Sequence, residues 1–445
     1  MVNFPLTDMG DARIAGAAGS HGVAVRQRIG DTSGSPGMDL FTDRNTDMTS
    51  STDLLSHIDD ARAIELLTAL VAIPGKSGLE QATADHIVKE LRGAGVPQSA
   101  MVFDDAHKKS PYGGGCGNLI VKLPGTVRGP RRLLMAHIDT VPLCQGCEPE
   151  VRGEYLVSRR TDTALGGDDR GGATVVLHTA LMLLKHQLPH PPLTLFWPVQ
   201  EEVGLVGARH VAAAKLGGPK LCFNWDGGDA SLMTMGATGA DDLQIRIKGL
   251  ASHAGVHPEQ GVSAAVIAAK AIHSLAENGW HGLVVKGRKT GTSNIGIVQG
   301  GDATNVVLDS LYLRGEARSH DPVFRAKIVR EFERAFALAA KSTTNTANVK
   351  GEVEFTATMK YESFRLPDDS AVIASAKAAL SAVGLEPVTK ISNGGLDANW
   401  MTAHGFPTVT LGCGQEAIHT VKERLHLPSF LKACRIGLLL ASGAI

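Results

Sequence analysis

The sequence predicts an α/β protein, a mostly parallel mixed sheet flanked by helices, interrupted by an inserted α+β segment. Three observations carry this. Short apolar runs alternate with stretches of helical spacing in the first half, the grammar of parallel strands joined by helices. From about Gly236 the period becomes apolar/polar alternation, as in half-exposed antiparallel strands. From about Phe364 the first grammar resumes, so the middle stretch reads as an insertion. The expected organisation is residues 52–236 and 364–445 as one domain, 237–363 as an inserted one, and 1–51 as an extension.

Composition narrows the classes. A chain of 445 residues is long enough for two to three domains, and 43% hydrophobic residues suit a globular protein with a full core. A net charge of −1 supplies no global field for nucleic acid or an anionic membrane. No apolar run approaches the roughly 20 residues that span a bilayer. The six cysteines do not form a disulfide framework at this length, so a reducing, cytoplasmic setting is expected. Cys144 and Cys147 have metal or redox spacing, but a lone pair without a second is assigned a structural role. Residues 1–51 are rich in Gly, Asp, Ser and Thr without periodic apolar residues. They are expected to be disordered and contain no secretory segment, and Met48 is a second candidate start.

Along the chain, residues 59–72 and 79–94 have helical apolar spacing, separated by the loop Pro74-Gly75-Lys76-Ser77-Gly78. Strands are expected at 119–123, 133–136, 193–199, 221–225 and 408–411, with helices at 171–185, 370–383 and 427–441. The insertion reads as strand 243–248, helix 263–276, strands 293–298 and 311–317, helix 323–341 and strand 352–359. That β-α-β-β-α-β order is the split, ferredoxin-like unit.

The chemistry gathers at strand ends. Leu133–Pro142 reads LLMAHIDTVP: an apolar strand, then abruptly His137 and Asp139. Positions i and i+2 of an extended chain share a face, so both emerge together at the carboxyl end, where open α/β sheets bind ligands. Asp168/Asp169, Glu201/Glu202 and Asp226 likewise stand at the end of an expected strand or in the loop after one, and His419 lies past the strand at 408–411. Carboxylates crowded in one crevice repel unless a cation neutralises them, and imidazole with carboxylate suits zinc.

The motifs LLMAHIDTVP, LGGDDRGG, PVQEEVG, NWDGG and AIHT, in this order, resemble the di-zinc exopeptidases, a family that includes tripeptide aminopeptidases, carboxypeptidases and aminoacylases. The stretches around Gly394–Asn399 and Ile418–Thr420 are similar to its peptidase T branch. The resemblance implies two zinc ions per chain, with cobalt or manganese as substitutes. His137 and Asp226 would bind one ion, Glu202 and His419 the other, and Asp168 both. Asp139 would orient His137, and Glu201 would be the general base. The insert would supply His253, Asn305 and Arg318 to a short peptide substrate, and would also serve as lid and homodimer surface. A salt bridge within the insert is the alternative for Arg318. Arg170 stands where relatives often have Lys, and is assigned a loop-supporting role. The expected activity is release of the N-terminal residue of tripeptides. The alternatives are an N-acyl amino acid deacylase or carboxypeptidase with the same metals and, remotely, a non-catalytic scaffold.

Overall fold

The computed structural model describes residues 51–444. The expected disordered extension, residues 1–50 of it, and the candidate start at Met48 lie outside the described residues.

Arg132–Met135, Leu193–Trp197, Leu221–Trp225 and Thr408–Leu411 form the parallel centre of a nine-stranded sheet. Nearly all their residues are buried, as a parallel centre covered on both faces requires. The margins are antiparallel: Leu119–Leu123 and Met101–Phe103 on one side, Leu232–Ala237 and Phe364–Arg365 on the other. Val388–Ser392 adds in parallel to Leu232–Ala237. Register places Met135 opposite Phe196 and Asn224, and Leu411 opposite Trp225. The carboxyl ends of the four central strands therefore finish level along one edge.

The helix Gly167–Lys185 is buried from Gly167 to Leu183 and packs against Asp60–Ala72 and Leu427–Ser442. Its first turn lies almost on the sheet. A Cβ on Gly172 would stand 2.2 Å from the Trp225 carbonyl oxygen, so only glycine permits this approach.

The chain leaves the large sheet at Ala237 and enters a five-stranded antiparallel sheet at Gly239; on its return, Phe364–Arg365 pairs with Ala237 and Gly236. This sheet runs Gly282–Lys286, Lys289–Gln299, Ser310–Ser319, Gly239–Lys248, Glu352–Tyr361. Helices Ala264–Glu277 and Pro322–Lys341 cover one face around Leu243, Ile245, Leu313, Phe324 and Phe332. Without its edge strand the order is that of the split unit. The four-strand expectation is corrected to five: Gly282–Lys286 hairpins onto Lys289–Gln299 through Gly287, at φ 62°, and buries only Val284. One buried residue leaves no alternation to read. A small sheet of Gln415–Glu416, Arg424–His426, Tyr155–Ser158 and Pro149–Arg152 completes the fold.

Candidate metal centre

Past Met135 the chain stays extended. The Ala136 N–H donates to the Phe196 carbonyl (3.3 Å) and the Ile138 N–H to the Pro198 carbonyl (3.1 Å). His137 and Asp139 therefore project to one side, with His137 Nδ1 3.3 Å from Asp139 Oδ1. Asp139 is fully buried and accepts the Ser77 hydroxyl (2.6 Å) and the backbone N–H groups of Glu201 (2.9 Å) and Glu202 (3.2 Å). One carboxylate thus fixes both the imidazole ring and the loop after Leu193–Trp197.

Asp168 and Asp169 sit at the start of the buried helix, where the backbone departs from helical geometry behind Gly166 at φ 81°. Glu423 holds this turn by accepting the N–H groups of Gly166 (2.8 Å) and Asp168 (3.0 Å). Asp168 Oδ1 lies 3.3 Å from His137 Nε2, and its Oδ2 lies 3.1 Å from His419 Nε2. His419, in the left-handed region at φ 61°, is also 2.9 Å from Glu202 Oε1. Two sets of donor atoms gather within 4.8 Å: His137, Asp168 and Glu202, and His137, Asp169 and Asp226. His137 belongs to both, so the sets adjoin.

The crevice is strongly negative. Burial, reinforced by Asp168, pushes Asp226 up to about 8, against the pull of His137. Burial also raises Glu201 well above the ordinary carboxylate range, with Asp226 and Asp397 adding to it. Burial lifts Asp397 to about 7. Burial would raise Asp168 too, but hydrogen bonds from His137 and His419 outweigh it and hold the group below the usual range. Asp168 and then Glu202 raise His419 to about 10. Asp169 Oδ2 and both carboxyl oxygens of Asp397 are buried without a hydrogen-bond partner among the described residues. No lysine or arginine forms an ion pair with this cluster among the described residues. Orphaned carboxylate oxygens beside imidazoles, with no basic side chain to neutralise them, make a donor set that fits divalent cations of the zinc type.

His137, Asp139, Asp168, Glu202, Asp226 and His419 are thus brought together, with Glu201 beside them. His253 and Asn305 are brought to each other but not to the cluster. His253 forms a β-bridge with Val306, the Ala254 N–H donates to the Asn305 carbonyl (2.9 Å), and both residues are exposed. Arg318 is held by Glu316 through Nε (2.8 Å) and Nη2 (3.0 Å). Arg170 is buried and ties the site loop to the Leu70 (3.3 Å) and Gly75 (3.4 Å) carbonyls and to the Thr83 hydroxyl. Cys144 and Cys147 are buried free thiols outside both donor sets.

Sequence reasoning assigned no role to Asp169, Asp397, Glu80 or Glu423. The first two stand inside the motifs quoted above, so the signal was present. Glu80, which burial pushes up to about 7, accepts the N–H groups of Gly78 (2.7 Å) and Gln200 (3.2 Å). It and Glu423 act on backbone, which no local pattern announces.

Comparison with known proteins agrees with this geometry. The family described as Peptidase family M20/M25/M40 matches residues 133–442. A Bacillus subtilis relative, the uncharacterized protein YqjE, is 31% identical over 85% of this chain and 97% of its own length. The crystal structure of aminopeptidase PepT from Bacillus cereus superposes with a TM-score of 0.75 at 30% identity, covering 87% of this chain and 99% of that one. A tripeptidase from Staphylococcus aureus superposes with a TM-score of 0.77 at 31% identity, again covering 87% and 99%. The matched span, the shared fold and the clustered donors lead to one conclusion: the chain belongs to peptidase family M20/M25/M40.

Proposed function

We propose that the chain is a zinc-dependent exopeptidase that releases the N-terminal residue of short peptides, above all tripeptides. The observation that carries the reading is the convergence of His137, Asp168, Glu202, Asp226 and His419 on one crevice at the strand ends. The descriptions of the two solved neighbours, an aminopeptidase and a tripeptidase, support the substrate side of it.

In this reading His137, Asp168 and Asp226 hold one ion, and Asp168, Glu202 and His419 the other. Asp169 is a further donor beside Asp226. Zinc, or cobalt or manganese in its place, would when bound neutralise the carboxylates, polarise the scissile carbonyl and acidify a water. Glu201, free of ligand duty, takes a proton from the attacking water onto a carboxylate oxygen and delivers it to the departing amine nitrogen. Asp139 keeps the His137 ring and the Glu201 backbone in place. His253 and Asn305, which lie away from the cluster of their own chain, would reach the scissile carbonyl held by a partner chain across the homodimer surface, and Arg318 meets a substrate carboxylate after releasing Glu316.

Residues 237–363 form the lid and the homodimer surface, and residues 52–236 and 364–445 the catalytic domain. The edge strand Gly282–Lys286 supports the first part, since it exposes Leu283 (72%) and Val285 (51%). Among the described residues no helix is long and apolar enough to cross a membrane. Six free thiols suit the cytoplasm.

The test is hydrolysis by zinc-loaded protein of free tripeptides, amino-blocked dipeptides and N-acetyl amino acids. Release of the N-terminal residue from the tripeptides alone is expected. Cleavage confined to blocked substrates would overturn the aminopeptidase reading.

A further inference from the structure

Residues 110–117 read SPYGGGCG, a stretch so rich in glycine that its backbone has little preference of its own. The fold nevertheless pins it on both sides of Tyr112. The Ser110 hydroxyl donates to Gln200 Oε1 (2.5 Å), and Gln200 Nε2 donates to the Gly113 carbonyl (2.7 Å). The Tyr112 N–H donates to Ser110 Oγ (3.1 Å), and the Gly115 N–H to the Gly78 carbonyl (3.1 Å). A Cβ on Gly114 would stand 2.6 Å from Gln200 Nε2, so glycine there lets the amide reach across. Gln200 is itself fully buried, in the left-handed region at φ 57°, with its N–H on Glu80 (3.2 Å). It directly precedes Glu201. One side chain thus fixes the glycine stretch against the loop that carries the general base.

What this bracing presents is the Tyr112 side chain. It is 58% exposed, and its hydroxyl has no hydrogen-bond partner among the described residues. It lines a cleft of about 420 Å³, within the range of small-ligand sites, together with Glu202, Val203 and Gly204 of its own domain and Ile297 of the insert. The insert's charges in this cleft are largely paired among themselves, Arg314 with Asp242 and Glu316 with Arg318. The surface left for an uncharged side chain is Tyr112, Val203 and Ile297. A tyrosine on a braced backbone offers a large contact area at low cost in conformational entropy.

The cleft runs from Glu202 at the metal centre to Glu316, the residue that holds Arg318. A peptide gripped at its scissile bond by the metal centre and at its carboxylate by Arg318 crosses the cleft with the residues beyond that bond. In a tripeptide the first of these is the central residue. We propose that Tyr112, braced by Gln200, determines specificity by packing against the side chain of that residue, and that large apolar side chains, aromatic ones above all, are preferred there. The proposal rests on the peptidase reading above.

Calorimetric binding tests it without turnover. The zinc-loaded Glu201→Gln protein is titrated with Ala-Ala-Ala and with Ala-Phe-Ala. The phenylalanine peptide should bind about tenfold more tightly, the scale of one aromatic pair with its buried area. In Tyr112→Ala on the same background the two affinities should come within about twofold, with zinc content unchanged. Tyr112→Phe, which keeps the ring, should keep the preference. Ser110→Ala, which removes the hydroxyl shared by Tyr112 and Gln200, should lose part of it, and a full preference there would remove the brace from the proposal. Equal binding of both peptides by the parent, binding of neither, a preference that survives Tyr112→Ala, or one lost in Tyr112→Phe would overturn the subsite. If binding behaves as expected while the native protein releases no N-terminal residue, the subsite stands and the aminopeptidase reading falls. If the native protein cleaves both peptides with equal kcat/KM and Tyr112→Ala changes neither, that reading stands and the subsite falls.

Discussion

The crevice at the carboxyl ends of the parallel strands and the polar face of the insert's sheet are both crowded with charge, and they handle it in opposite ways. In the crevice the charges are mostly of one sign, largely buried, and fastened through backbone: Asp139 by the Glu201 and Glu202 N–H groups, Glu423 by those of Gly166 and Asp168. On the insert, opposite charges pair with each other at the surface, as in Arg314–Asp242 and Lys248–Glu354. Buried like charges are costly without a cation, so the first region is built for chemistry. Exposed pairs contribute little and exchange partners readily, so the second is suited to recognition.

This contrast can be broken at several points. The largest effect is expected at the base. Glu201→Gln should lower kcat by about 10²–10⁴ while zinc content, read by atomic absorption, stays at the native level. Retained turnover would remove Glu201 from the reaction.

The next effect is thermodynamic. His178, on the buried helix behind the crevice, donates through Nε2 to the Asp59 carbonyl (3.2 Å), and burial lowers it from 6.5 to about 4. The folded value lies below the unfolded one, so the stabilisation is full above pH 6.5 and is lost as pH falls toward 4, by about 3 kcal/mol in total. Urea unfolding across that window should show the loss in the native protein and a shallower one in His178→Gln.

Asp139→Ala should weaken zinc binding by about 10–100-fold, the usual cost of removing a group that orients a ligand, and should lower the thermal midpoint. Gly172→Ala forces a Cβ against the Trp225 carbonyl at 2.2 Å, and should cost about 1–3 kcal/mol in urea unfolding. On the insert, Lys248→Ala breaks an exposed pair and should leave the thermal midpoint unchanged.

What the sequence reveals follows the same division. Leu119–Leu123, Leu221–Trp225 and Thr408–Leu411 form where the apolar runs begin and end, because each run stops at a proline, a charge or a glycine: Pro124, Asp226 and Gly412. The run expected to reach Val199 stops at Trp197, since Pro198 has no N–H to continue the ladder. Gly282–Lys286 and Val388–Ser392 escape notice because exposure erases their pattern. In the site, His137, Glu201, Glu202 and Asp226 are legible because each follows the end of an apolar strand, and Asp168 and His419 because they stand in quoted motifs. Glu80 and Glu423 are not, because the backbone amides that give them a place in the site, of Gln200 and of Gly166 and Asp168, lie far along the chain.

The central claim is that a shared cluster around His137 and Asp168 holds a pair of divalent ions. Its most direct test is metal stoichiometry after chelation, zinc reloading and exhaustive dialysis. About two zinc ions per chain are predicted for the native protein, and about one for His137→Ala, which removes a ligand of one ion and leaves Asp168, Glu202 and His419 to hold the other. Native protein that retains no zinc, or His137→Ala that keeps the full complement, would contradict the account.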